Sequence, residues 1–452
     1  MLFSNLKKHE IFPIPLGKEC GVKRKCYLLY APLSNNAIVV DVDNCSLMEE
    51  RLGESVVIDE NKDEIDEILA CLMDYVPLSE RLECPQSPDD LLELTILPNY
   101  YCNFHCTYCY AAKAHKKTTM SLKMLKDIFF YFLSSQRNDS SDLSVQIIGG
   151  GEPVLAWEML VNGIEYARLL EKENEKQLTI SLATNGSILN EQILNDIKRL
   201  GIQLSFSFEI LPQIQNVQRG QYDKVALNLK KLCEAGLADR ITVRSIITPA
   251  SVDLMGEMVE ELHLTFPFLR SVIMEPVMGE ELFGTLDNYR NFYEFFFEGL
   301  FHARTIGKNY GILVDTTVLR NIDYTVTRAC AGDLCLTPDG EFTICHRIAS
   351  PQDLNYKKVV YGYMNNGTPY FDLAKFKRLI GDNVYKKEQC RNCFAKYNCG
   401  GGCLARMMNE KDNWREVSCD FTRKTIQRIL LERIDDLYRK EFGQGVIEFI
   451  NR

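Results

Sequence analysis

The 452-residue sequence has no apolar run long enough to cross a bilayer, and stretches such as DIFFYFLSS at 127–135 fall far short. Its opening, MLFSNLKKHEIFPIPLG, lacks a long apolar region followed by a small-residue cleavage site. Neither a membrane partner nor secretion is therefore predicted, and the expected location is cytoplasmic. Positive charge is not in excess: 52 Lys and Arg against 62 Asp and Glu leave a net charge of -10. That balance argues against the phosphate-neutralising surface that nucleic acid requires, so no nucleic-acid partner is expected. Solenoid-type repeats and low-complexity tracts are missing too. With 46% apolar and 25% charged residues, the composition is that of an ordinary globular protein.

Cysteine is what the sequence has in quantity. Seventeen cysteines in a cytosolic chain read as metal ligands or reactive thiols, not disulfides. Three lie in YYCNFHCTYCYAAK (100–113), eight between 330 and 419, and only Cys233 in the long interval between. Around Cys102, Cys106 and Cys109 no histidine or acid has ligand spacing for a fourth place. A structural zinc site needs four closed ligands. A four-iron cluster held by three thiolates keeps one iron open for a small molecule.

Residues 1–90 are predicted to form a small α+β domain. It contains a hairpin, KCYLLYAPLSNNAIVVDVD, turning at Ser34-Asn35-Asn36, then helical stretches up to DEIDEILACLMDYV. The Pro-rich ECPQSPDD (83–90) reads as a linker. From 91 to 325, six apolar strand candidates (LLELTIL, LSVQIIG, LTISLAT, IQLSFSF, ITVRSII, SVIMEPV) alternate with amphipathic helices. The fold class expected is α/β, a partial (β/α)6 TIM-like barrel with chemistry on the loops after the strands. The cysteine triplet begins in such a loop, just after LTIL. The aromatic NYRNFYEFFFEGLFHARTIG reads as a core helix. A cysteine-rich domain is assigned to 326–420 and an amphipathic C-terminal helix to 421–452.

Here the motifs carry a resemblance. CNFHCTYC resembles the signature of the radical S-adenosylmethionine (SAM) enzymes, which implies that Cys102, Cys106 and Cys109 hold a [4Fe-4S] cluster whose open iron chelates SAM, with Tyr108 just before the last ligand. IIGGGEP (147–153) resembles the family's GGEP element, which implies that Gly150, Gly151 and Glu152 meet the cofactor's ammonium. SLATNGSIL ends the third strand in a Thr-Asn-Gly turn, as many members do, which brings in Thr184. LSFSFEILPQIQNVQRG is similar to the stretch that supplies a serine to the ribose or carboxylate and, twelve residues on, an arginine to the carboxylate. These would be Ser207 and Arg219, the latter apt because a guanidinium grips a carboxylate bidentately. The sequence departs from the family where an Asp-Gly is common, reading Glu209-Ile210. IMEPV implies an adenine contact from Val277.

The second cysteine group reads Cys330-x9-Gly340-x4-Cys345, then Cys390-x2-Cys393-x5-Cys399-x3-Cys403, then Cys419. It resembles the seven-cysteine SPASM domain, which carries two auxiliary [4Fe-4S] clusters. The resemblance implies that Cys330, Cys345 and Cys403 hold the first, and Cys390, Cys393, Cys399 and Cys419 the second. The alternative is one zinc on Cys390, Cys393, Cys399 and Cys403, which leaves three cysteines without a purpose. In LCLTPDGEFTIC a two-residue turn at Asp339-Gly340 would set Leu334 opposite Cys345 and point Cys335 to the other face, away from a ligand role. A register slip would reverse that. Cys20, Cys26, Cys45, Cys71, Cys84 and Cys233 are expected as buried apolar residues.

Together the resemblance implies three [4Fe-4S] clusters, reductive cleavage of SAM to a 5'-deoxyadenosyl radical, a small redox protein as electron donor, and a ribosomally made precursor peptide or protein as substrate. No motif identifies a catalytic acid or base. ICHRI places His346 where sulfatase-maturating enzymes typically have an aspartate, which favours a peptide maturase forming a thioether or carbon-carbon crosslink, or another modification. Residues 1–90 are compatible with leader-peptide binding by strand addition, or with a plain cap. The formylglycine-generating activity of the sulfatase-maturating branch is one alternative; a non-enzymatic iron-sulfur or zinc protein is the other.

Overall fold

The computed structural model describes residues 3–53, 64–75, 85–112, 116–330 and 332–451. Near the N-terminus, β1 (Phe12–Leu16), β2 (Cys26–Ala31) and β3 (Asn36–Asp41) form an antiparallel sheet in the order β1-β2-β3. The expected hairpin is β2-β3. Ala31 pairs with Asn36, so the turn occupies 32–35 instead of 34–36. Asn35 takes the left-handed φ of 56° that this turn needs, a conformation asparagine tolerates. β1 was not expected because Pro13 and Pro15 interrupt it. As an edge strand it tolerates them, since a proline there removes only a donor that faces away from the ladder. Helices Ser4–Lys8, Val42–Arg51 and Glu64–Leu72 cover this sheet with a core of their own, including Leu6, Leu29, Met48, Leu69 and Leu72. Cys26 and Cys45 are buried as expected, and Cys20 is half-buried. Cys71 is exposed, because its helix turns Leu69 and Leu72 inward instead. Glu83 and Cys84, the first two residues of the ECPQSPDD segment, lie outside the described residues. The second half is anchored: Ser87 caps a turn at Pro88–Asp90, and Asn138 and Arg137 donate to Asp89 O and Pro88 O.

The second sheet holds all six strands read from the alternation: β4 (Glu93–Ile96), β5 (Asp142–Ile147), β6 (Gln177–Thr184), β7 (Gln203–Ser207), β8 (Ile241–Ile247) and β9 (Ser271–Pro276), each parallel to its neighbour. A seventh parallel strand, β10 (Leu313–Asp315), pairs with β9; three residues are too few for periodicity to show. At the other edge β11 (Leu334–Leu336) runs parallel to β4. Then β12 (Glu341–Thr343), β13 (Val360–Asn365) and β14 (Thr368–Phe371) continue antiparallel. The order is therefore β10-β9-β8-β7-β6-β5-β4-β11-β12-β13-β14, and the cysteine-rich region extends the parallel sheet. Helices Leu122–Leu133, Trp157–Glu173, Glu191–Leu200 and Tyr222–Leu232 lie between the strands, and their apolar faces join one continuous core with the strands' buried residues.

Helix Leu286–Tyr310 buries its rings as expected: Tyr289, Tyr293 and Phe296 pack on Trp414 and Phe421. Those two belong to the long helix Asp412–Phe442, so the boundary expected at 420/421 falls inside a continuous helix that carries Cys419. Nothing in DNWREVSCDFT breaks a helix. The N-terminal unit is bolted to the cysteine-rich region. Lys396 Nζ sits 2.7 Å from Glu10, Tyr30 OH donates to Asn398 at 3.0 Å, and Leu33 packs with Val384, Cys390 and Tyr397. Among the described residues no helix is long and apolar enough to cross a membrane.

Candidate active site lined by cysteines

The loop after β4 carries Cys102, Cys106 and Cys109, and it is fixed at several points. Tyr100 is fully buried and donates to Ala349 O at 2.8 Å; Thr107 N donates to Gln218 O at 2.9 Å. Burial raises all three thiols, Cys102 to about 11, and each of Cys106 and Cys109 adds to the rise at Cys102. Arg219 works in the opposite direction on Cys106 and Cys109, so a fixed cation stands within electrostatic reach of the triplet. Three half-buried thiols on one short loop within electrostatic reach of a guanidinium suit an anionic, thiolate-ligated group.

Gly150 and Gly151 lie directly against this loop. A Cβ on Gly151 would stand 1.9 Å from Tyr101 O, and one on Gly150 2.7 Å from the Tyr100 ring. The close approach that these glycines permit is thus to the chain's own segment 99–101. Glu152 N donates to Tyr101 O at 2.8 Å and Asn99 Nδ2 donates to Glu152 O at 3.0 Å. The Glu152 carboxylate is 3% exposed and accepts from Thr184 Oγ1 (2.7 Å), Asn185 N (2.7 Å) and Val154 N (3.1 Å). Burial raises its carboxyl, and these donors with Arg219 offset part of the rise. Thr184 and Glu152, separate motifs in sequence, are one hydrogen-bonded unit. Asn185 completes it, donating to Asn103 Oδ1 at 2.9 Å and approaching Cys102 Sγ.

Sequence reasoning gave Glu209 no role, and the structure gives it one. It is fully buried; Oε1 accepts from Tyr108 OH and lies 3.6 Å from Arg219, while Oε2 accepts from Ser245 Oγ (2.6 Å) and Ile246 N (3.0 Å). Arg219 Nη1 donates to Tyr108 OH at 2.8 Å. Burial opposes the charge of Arg219, but Tyr108, Cys106 and Glu209 more than offset it and hold the guanidinium above its ordinary value. Among the described residues, Arg219 Nε is buried without a hydrogen-bond partner. Ser207 ends β7, half-buried. Val277 is 2% exposed and its N–H is bonded to Ile247 O at 2.9 Å, so a backbone contact from it would have to come from its carbonyl.

The remaining thiols divide by which of them raise one another. Cys330, Cys345 and Cys403 form one set; Cys390, Cys393, Cys399 and Cys419 form the other. Cys403 stands with Cys330 and Cys345, and Cys335 joins this set through Cys345. Gly400, Gly401 and Gly402 all have positive φ, and a Cβ on Gly400 would lie 2.2 Å from Ala329 N; this turn brings Cys403 to the segment of Cys330.

Cys335 is a correction. Cys335 pairs with Thr343 and Leu336 with Phe342, and Gly340, at φ 83°, ends a three-residue loop in place of the two-residue turn. Pro338 begins this loop and the left-handed glycine closes it, shifting the register by one. Cys335 therefore shares a face with Cys345, whose proximity adds to the burial that pushes the Cys335 thiol up. His346 follows Cys345, with Nδ1 2.8 Å from Asp333 Oδ2.

Residues 96–262 match the family model described as the Radical SAM superfamily. The chain is 18% identical over 392 residues to the radical SAM cyclopropyl synthase TigE of Paramaledivibacter caminithermalis, covering 81% of this chain and 79% of that one. It is 21% identical over 351 residues to the cysteine-type anaerobic sulfatase-maturating enzyme of Clostridium perfringens, 70% and 90%. It also spans 43% of an uncharacterised protein of Methanocaldococcus jannaschii, at 28% identity over 131 residues and 29% of this chain. Among solved structures, anSMEcpe with bound AdoMet superimposes with a TM-score of 0.57 at 18% identity, over 75% of this chain and 99% of that one. SuiB of Streptococcus suis bound to the precursor peptide SuiA gives 0.52 at 16%, over 86% and 94%.

Proposed function

We propose, from the premise that this enzyme carries a radical SAM domain, that it is a peptide maturase. The observation that carries the reading is the convergence of Cys102, Cys106 and Cys109 with Arg219 and Glu152 at the ends of the parallel strands. When bound, a [4Fe-4S] cluster and SAM supply a 5'-deoxyadenosyl radical that abstracts hydrogen from the substrate. Cys102, Cys106 and Cys109 would hold the cluster; Glu152, Arg219 and Ser207 suit the polar groups of SAM, and the buried loop of Tyr100 and Tyr108 limits water. Cys330, Cys345 and Cys403, and Cys390, Cys393, Cys399 and Cys419, suit two auxiliary clusters. The register found for Cys335 removes the facing argument against it as a further ligand of the first.

The matched structures bound to SuiA and to the Cp18Cys peptide support a peptide substrate. His346 after Cys345 favours crosslinking or a related modification over formylglycine formation. For leader binding by strand addition, β1 is a poor edge, because Pro13 and Pro15 carry no N–H. The reading therefore requires the free edge of β3. An electron donor of small redox-protein type completes the scheme. The test is iron and sulfide analysis of anaerobically purified protein, with detection of 5'-deoxyadenosine after reduction in the presence of SAM. About twelve irons per chain and 5'-deoxyadenosine support the reading. Zinc with little iron, and intact SAM, would refute it.

A further inference from the structure

The face of the parallel sheet that carries Ser207 also carries an arginine the reading above does not use. On β8, Val243, Ser245 and Ile247 are buried while Thr242, Arg244 and Ile246 point to the other side. Register places Ser207, Arg244, Ile273 and Asp315 in one row across β7 to β10, with Ile246 and Glu275 paired in the next. Arg244 is thus the lateral neighbour of Ser207, at the edge of the cysteine-lined site. Arg347 reaches the same region from the loop after Cys345. Its guanidinium lies 5.8 Å from the Tyr110 ring centroid, and Tyr110 OH donates to Gly149 O at 3.1 Å. A small cleft lined by Tyr110, Gly150, His346 and Arg347 opens between the two loops.

Charge in this region is unbalanced. Burial pushes the Arg244 guanidinium below its ordinary value; Glu275 opposes the shift, while Arg320 and Arg347, both close enough to act on Arg244, add to it. The two carboxylates on this face accept their hydrogen bonds from Thr316 and Thr317 and reach the arginines only electrostatically. Glu275 accepts from Thr317 N (2.9 Å), Thr317 Oγ1 (2.6 Å) and Thr316 Oγ1 (3.2 Å), and Asp315 accepts from Thr316 N at 2.9 Å. Among the described residues none of the three arginines has an ion pair within 4 Å. Arg244 and Arg347 are half-buried and Arg320 is exposed; two half-buried guanidiniums without an ion pair, in a chain of net charge -10, are where an anion should bind.

We propose that Arg244 and Arg347, with Arg320 behind them, form a carboxylate subsite that seats an acidic side chain or the C-terminal carboxylate of the peptide substrate beside the cysteine-triplet loop. This rests on the peptide-maturase reading. The probes are three fluorescein-labelled peptides of one sequence: a glutamate form with amidated C-terminus, its glutamine counterpart, and the glutamine form with a free C-terminus. Fluorescence anisotropy is measured anaerobically on the SAM-loaded holoenzyme. One carboxylate peptide should bind more tightly than the fully amidated one, and which of the two does so identifies the source of the carboxylate. Arg244→Gln should weaken that peptide about tenfold, within the range for a hydrogen bond to a charged group, and leave the amidated peptide and SAM affinity unchanged. Arg347→Gln, on a separate loop, should act in the same direction, so the test survives misfolding of either variant. Equal binding of all three peptides, no binding of any, or a preference unaltered by both variants would overturn the subsite. So would a loss of SAM affinity in Arg244→Gln, because the carboxylate would then be the cofactor's own. Absence of SAM cleavage by the unaltered enzyme would strike the radical reading alone, since carboxylate preference is read by binding.

Discussion

Replacing Glu209 by glutamine removes one charge from the centre of the site and almost no volume. In the native arrangement the carboxylate is fully buried, accepts from Tyr108, Ser245 and Ile246, and stands 3.6 Å from an Arg219 side chain that is 8% exposed. Breaking a buried pair by removing one partner costs about 3–5 kcal/mol, because the other charge is left uncompensated. The amide oxygen of glutamine can still accept one of the three hydrogen bonds, which returns about 1 kcal/mol. A net loss of about 2–4 kcal/mol remains, and at roughly 2–4 °C per kcal/mol for a domain of this size the melting temperature should fall by about 4–16 °C. The assay is thermal unfolding of anaerobically purified protein by circular dichroism, with the Glu209→Gln/Arg219→Gln double variant alongside. Removing both charges should restore part of the loss, since a neutral pair leaves no buried ion. A shift under about 1 °C, or a double variant as unstable as the sum of the singles, would refute the coupling.

Alanine at Cys102, Cys106 and Cys109 together should abolish 5'-deoxyadenosine formation and remove about four irons per chain, leaving about eight in the cysteine-rich region; product formed by the purified variant sinks the assignment. Gly151→Ala places a Cβ 1.9 Å from Tyr101 O and 2.4 Å from Asn99 Oδ1, so the two loops must part. Overpacking of about 1–3 kcal/mol should appear in calorimetry as SAM affinity reduced at least tenfold, and normal affinity would show that the loops yield. Glu10→Gln strips Lys396, whose side chain is 7% exposed, of its carboxylate at a cost of about 1–3 kcal/mol. Hydrogen exchange in β1, β2 and residues 396–399 should then rise together, and unchanged protection there would mean that the docking does not depend on this pair.

The strands β5 to β8 were legible because each alternates residues buried against helices with residues on the other face, and β4 and β9 because they are short apolar runs between helical stretches. β1 and β10 were not, one for its prolines and the other for its length. The Cys335 face failed on a single residue of loop: Asp339-Gly340 reads as a two-residue turn, and only the left-handed Gly340 after Pro338 shows that it is three. The cysteine spacings pointed to the thiols, but not to what surrounds them. Tyr108, the Glu209 and Arg219 of one stretch, and Ser245 come from three segments of chain that topology alone brings together. Topology also ties residues 1–90 to the cysteine-rich region: with Leu33 against Cys390 and Glu10 on Lys396, removing them would uncover the segment that carries the second set of thiols.

That docking has a consequence for synthesis on the ribosome. The N-terminal sheet is complete by Asp41 and its helices by Leu72, whereas the surface it docks on, Cys390 to Asn398, is made more than three hundred residues later. At translation rates of about 5–20 residues per second, the unit waits on the order of tens of seconds with Leu33, Tyr30 and Glu10 facing solvent. Its separate core of Leu6, Leu29, Met48, Leu69 and Leu72 lets it hold its shape through that interval. The second set of thiols, by contrast, emerges into a cell where the unit that will cover Cys390 is already folded and tethered to the same chain.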